Sequence, residues 1–128
     1  MAGRGRFYYE ATVTDEGLCR VGFSTDQASL DLGTCPFGYG FGGTGKKSNN
    51  RQFDDYGGGS FGKADVIGCY LDLENAEIAY TKNGKDLGLA FAIPRSQYKD
   101  NFFPAVVLKV SFTPTNFSKE LFIQYCVL

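Results

Sequence analysis

Residues 37–43 read Phe-Gly-Tyr-Gly-Phe-Gly-Gly, an aromatic at the odd positions up to 41 and a glycine at every even one. In a β-strand alternate side chains point to opposite faces. Phe37, Tyr39 and Phe41 therefore share one heavy face, and Gly38, Gly40 and Gly42 leave the other bare. A helix would scatter the aromatics and bear several glycines, each costing about 1 kcal/mol. The pattern predicts a strand whose aromatic face enters a core and whose glycine face admits another backbone.

The same stretch imitates a phosphate-binding loop. Gly40, Gly42 and Gly45 spell G-x-G-x-x-G, and Gly40 to Lys46 spell G-x-x-x-x-G-K, with Lys47 in place of Ser or Thr. A phosphate cradle needs a helix N-terminus directly after the glycines. Here the glycines lie inside the strand, and the following Asn49–Gly59 is poor helix material. Neither a P-loop nor a dinucleotide fold is expected, and no nucleotide cofactor.

Other segments alternate in the same way. Phe7, Tyr9, Ala11 and Val13 form one face of a strand, and Cys19, Val21 and Phe23 another. Ile67, Cys69, Leu71 and Leu73 form a third, and residues 102–109 are almost continuously apolar. Asn83-Gly84 is the favoured pair for a type I′ hairpin turn, pairing Lys82 with Lys85, Tyr80 with Leu87 and Ile78 with Leu89. Phe23, Phe41, Ile67, Leu71, Tyr80, Leu87, Phe91 and Val106 are the expected core. A last strand is expected in the apolar residues 121–128. Seven or more short strands with tight turns predict an all-β fold, a two-sheet antiparallel β-sandwich.

The 128 residues suit a single domain, 1–128. Nothing approaches eighteen consecutive apolar residues, so no membrane helix is expected. The N-terminal residues include arginines but no apolar h-region, which reads as no signal peptide. Cys19, Cys35, Cys69 and Cys126 show no C-x-x-C and no metal spacing, and are read as free thiols in a reducing compartment. With no histidine, Ser-His-Asp and Cys-His catalysis and histidine metal sites are excluded. The pairs Asp54-Asp55 and Asp15-Glu16 are adjacent, and adjacent carboxylates point apart rather than forming a dyad. The net charge of −1 predicts no global attraction to nucleic acid.

In order and spacing, "GRFYYEATV", "LCRVGFST", "GYGFGG", "IGCYLDLEN", "YTKNGKDLGLAF" and "FFPAVVLK" resemble a SPRY domain over nearly the whole chain. Residues 27–57 resemble more narrowly the SPRY domain inserted in the core of a DEAD-box RNA helicase associated with a tRNA ligase complex. The resemblance implies a concave two-sheet sandwich that binds a protein through loops at one rim. It implies no catalysis or cofactor of its own, a monomer off the membrane, and a nuclear and cytoplasmic location. SPRY domains carry further N-terminal strand before the first block, so a sheet edge here is expected to lack its partner. The family's N-F-G is Asn116, Phe117, Ser118 here, and the tail from Val110 matches loosely.

The candidate site is the cluster Lys46, Lys47 and Arg51, which has no acid between Asp31 and Asp54. It is read as one exposed patch on a loop, for an acidic protein surface or, alternatively, RNA phosphates. Tyr56, before three glycines, is read as an exposed aromatic beside it, and Lys82 and Lys85 flank the hairpin tip. Tyr8, Tyr39 and Phe53 are aromatic candidates against which core filling is weighed.

Overall fold

The computed structural model describes residues 5–13, 19–29, 32–108 and 121–127. Two five-stranded antiparallel sheets face each other. The first runs β10 (Leu121–Val127), β1 (Arg6–Val13), β6 (Val66–Asp72), β7 (Glu77–Lys82), β8 (Lys85–Ala92). The second runs β5 (Gln52–Asp55), β4 (Lys46–Asn49), β3 (Gly38–Gly42), β2 (Cys19–Thr25), β9 (Phe102–Leu108). The sandwich is the expected one. The first strand is paired on both sides, by β10 and β6, so it carries no open edge. Asp15, Glu16 and Ser118 lie outside the described residues.

The alternation sorts the faces as read. Tyr9, Ala11, Val21, Phe23, Tyr39, Phe41, Ile67, Cys69, Leu71, Ile78 and Tyr80 are buried between the sheets. Leu87, Phe91 and Val106 are only partly buried against that core. The glycine stretch is a buried strand, and it leads through residues 43–45 directly into β4, with no helix. The bare face is covered by a loop. A Cβ on Gly40 would meet the Arg20 stem at 2.8 Å, and one on Gly38 would meet Leu32 at 3.1 Å.

Two tyrosine hydroxyls tie the sheets together. Tyr9, on β1, accepts a hydrogen bond from Gly22 N–H at 2.8 Å and donates to Gly22 C=O at 2.7 Å, across the sandwich on β2. Gly22 has no room for any side chain, because a Cβ would lie 1.8 Å from the Tyr39 carbonyl oxygen. Tyr56, just after β5, makes the reverse connection. Its hydroxyl accepts from Tyr80 N–H at 3.2 Å and donates to Gly88 C=O.

That second contact explains why the hairpin register departs from expectation. Lys82 pairs Lys85 as read, across a turn with Asn83 φ 52° and Gly84 φ 83°. Beyond it, Ala79 pairs Leu89 and Ile78 pairs Phe91, with register shifts on either side of Ala79. Tyr80 does not pair Leu87, and Ile78 does not pair Leu89. The extra residues sit on β8, where Gly88 takes φ 89°. Each one-residue shift reverses which side chains face inward. Phe91 therefore turns toward the core, and Leu89 is 55% exposed. The carbonyls freed by the bulges are met by side chains, Gly88's by Tyr56 and Ala90's by Lys47 Nζ at 2.8 Å.

These contacts give three tests. Tyr9→Phe leaves the Gly22 N–H buried without a partner and should cost about 1–3 kcal/mol in urea unfolding, whereas Gly22→Ala should cost more than about 4 kcal/mol. Lys47→Glu should lower the unfolding free energy by about 1–3 kcal/mol, while Lys46→Glu should stay within about 0.5 kcal/mol of wild type. Equal effects would refute the bulge-capping role. Burial pushes Tyr39 and Tyr56 up to about 12 and lifts Tyr9 and Tyr80 well above the ordinary value. The unfolded chain releases these protons near pH 10 and the folded one holds them. Their contribution is present below about pH 10 and lost as pH rises through the folded values. The urea midpoint should fall steeply between pH 10 and 12; a midpoint unchanged across that range would contradict it.

Candidate interaction surface

The cluster Lys46, Lys47 and Arg51 does not form a single exposed loop patch. Residues 46–49 are strand, and Asn50 and Arg51, at φ 51° and 64°, form a two-residue hairpin turn into β5. Lys46 stands at the start of the strand, three steps or about 10 Å from Asn49 at roughly 3.3 Å per residue, and Arg51 lies in the turn beyond the strand's other end. Alternation also separates Lys46 from Lys47. Lys47 pairs beside the buried Phe41, so it points inward, its ammonium over the Tyr56 and Phe91 rings at 5.9 and 5.6 Å. Lys46 is exposed and reaches Asp55 only at 4.0 Å. Asp54 and Asp55 fall on opposite faces of β5, Asp54 opposite Lys47 and Asp55 opposite Lys46.

Tyr56 is not a surface residue. It is 8% exposed, packed edge-on to Phe41 and Tyr80. Lys82 is half-buried and donates to Ser60 C=O at 2.7 Å; Lys85 is exposed. Of the other aromatics, Tyr39 is core. Tyr8 is half-buried and stacked on Tyr70 at 4.4 Å, and Phe53 is 46% exposed under the Arg20 guanidinium.

Arg51 instead belongs to a rim assembled from three separate segments. Residues 33–38 are its keystone. Asn50 N–H donates to Cys35 C=O at 3.1 Å, and Arg51 N–H to Gly33 C=O at 3.0 Å. The Asn49 side-chain amide donates to the carbonyls of Pro36 and Gly38, at 3.2 and 2.8 Å. The third segment is the 3-10 turn Arg95–Gln97. Gln97 is 4% exposed; its amide N–H donates to Pro36 C=O at 2.9 Å and its oxygen accepts from the Tyr39 hydroxyl at 2.6 Å. One buried side chain thus fastens the outer loops to the core aromatic stack.

The segments so held expose Arg51, Arg95, Tyr98 and Lys99, with Asp26 also exposed and Asp100 half-buried. Cys35 is half-buried on this rim. Burial alone would raise its thiol, but hydrogen bonds from Ser29 and the backbone of Phe37 and Gly38 hold it below the ordinary value. Among the described residues neither Cys35 nor Cys69 is in a disulfide, and no cluster of three metal-ligating side chains occurs. Sequence reasoning missed Gln97, Arg95 and Lys99. The available signal was a lone Gln next to a proline-initiated turn, which says nothing about its partner until the register places Tyr39 beneath it.

A family model described as SPRY domain matches residues 6–120. The chain is 68% identical over 120 residues, 94% of its length, to the ATP-dependent RNA helicase Ddx1 of Drosophila melanogaster. It is 56% identical over 93% of its length to the ATP-dependent RNA helicase DDX1 of Xenopus laevis. A match at 38% covers 91% of it in the heterogeneous nuclear ribonucleoprotein U-like protein 2 of Mus musculus. The chain spans only 16% of the length of either helicase and 17% of the third protein. The matched residues include every strand from β1 to β9, so the chain belongs to the SPRY domain family.

Proposed function

We propose that this chain is a non-catalytic protein-interaction module of an ATP-dependent DEAD-box RNA helicase acting in RNA processing, in nucleus and cytoplasm. The helicase relatives support the setting. The observation that carries the binding site is the Gln97-fastened rim. It is a surface already rigid before a partner arrives, so little ordering entropy opposes binding. It exposes arginines and a tyrosine, residue types common at interface hot spots. Asp26 and Asp100 interrupt its positive charge, which suits a mixed protein surface better than a run of phosphates.

The test is capture by the immobilised chain, compared with the R51E/R95E/K99E variant. The captured protein should fall at least fivefold while the melting temperature holds, since exposed charges contribute little to stability. Undiminished capture would move the site off this rim. Direct RNA binding, the alternative reading, would appear as a log affinity falling by about 0.7 per neutralised phosphate for each log unit of salt. Such a slope with an RNA oligonucleotide, and no captured protein, would replace the protein reading.

A further inference from the structure

The outer face of the first sheet holds a second surface, built from other residues than the rim. A depression of 520 Å³ lies there, its lining including Tyr70, Asp72, Glu77, Ala79, Thr81 and Asp86. Its axis is β7. Ile78 and Tyr80 are fully buried, so Glu77, Ala79 and Thr81 point away from the core. Asp72 pairs beside Glu77 at one end, and Asp86 beside Thr81 at the other. The middle is apolar. Tyr70 and Leu89 are the register partners of Ala79 on either side, and the bulged register leaves Leu89 exposed on this face.

The charge is one-sided. The single cation among the lining residues, Arg6, is held at 3.4 Å by Asp72 and at 3.9 Å by Glu74. No ion pair engages Glu77 or Asp86 among the described residues. The acidic ends, at Glu77 and opposite Thr81, are four strand residues apart, about 13 Å at roughly 3.3 Å per residue. In an extended peptide residues i, i+2 and i+4 share one face and span the same distance.

From this match the geometry points to a docking groove for an extended segment of a partner protein with the pattern cation–x–apolar–x–cation. The first and fifth side chains meet the acids at the two ends, and the third covers Ala79 between Tyr70 and Leu89. The groove needs neither the rim nor its charges, so it stands or falls separately from the rim reading.

The probe is a fluorescein-labelled peptide, Gly-Arg-Ser-Leu-Ser-Arg-Gly, titrated with the full chain by anisotropy. Saturable binding is expected, weakening as salt rises. The E77K/D86K variant should bind at least tenfold more weakly, and R51E/R95E/K99E as tightly as wild type. Both substitutions are at exposed positions; E77Q/D86N replaces the pair if the melt shows unfolding. Amide shifts on adding peptide should centre on Ala79 and Thr81. Absence of saturation at millimolar concentration, equal binding by the folded acid-site variant, or shifts centred on the rim would each overturn the groove.

Discussion

The Tyr9 hydroxyl sits where the second sheet has no room for a side chain, and the packing of the sandwich follows from that contact. A tyrosine reaching across a core has to find partners for its hydroxyl, because an unpaired buried polar group costs about twice what its hydrogen bond contributes. Gly22 supplies both a donor and an acceptor to the one oxygen. Tyr56 performs the matching act in the other direction, taking the Tyr80 N–H and the Gly88 carbonyl that the bulges part. Each sheet therefore has a backbone opening filled by a phenol anchored on or beside the other. The sheets are held in one relative register by directional bonds as well as by apolar contact, which has no direction.

The bulges in β8 follow from the same constraint. With uninterrupted pairing, Tyr80 N–H would belong to the ladder and Tyr56 would have nothing to accept. The extra residues on β8 release those groups and Lys47 and Tyr56 take them up. The consequence extends to both faces. Inside, Lys47 becomes a capping residue; outside, Leu89 is turned out beside Ala79, giving the groove its apolar centre. The bulged strand thus gives an acceptor to a lysine that the β3–β4 register already turns inward, and adds a leucine to the opposite surface.

The fold was legible because its signals are local. Alternation in Phe7–Val13, Phe37–Phe41 and Ile67–Leu73 needs only period 2 to assign faces, and Asn83-Gly84 specifies its turn by allowing positive φ. The P-loop imitation failed for an equally local reason, the strand that follows it. The binding residues were less legible because their roles are set by register between distant segments. Lys46 and Lys47 look alike in a row of polar residues. Only the pairing of Lys47 with Phe41 sends it inward. Tyr56 beside three glycines reads as a loop aromatic until the bulge it fills is known. Gln97 gave no signal of its role, since its partners, Tyr39 and Pro36, are about sixty residues away in sequence.

The rim and the groove differ in what holds them. Gln97 links the rim to Tyr39, and Tyr39 lies against Phe91 at 5.2 Å, on the bulged strand. The groove uses the other side of that strand, through Leu89 and Asp86. Core and rim are thus connected by hydrogen-bonded contacts, while the groove is a by-product of how β8 is displaced. A substitution that straightened β8, such as replacing Gly88 at φ 89° by a β-branched residue, strains that backbone whatever the space around it. It would disturb the Tyr56 bridge first, then Leu89 on the groove side. The rim would feel it only through Phe91 and Tyr39, so the strand's two surfaces are joined through the core rather than through each other.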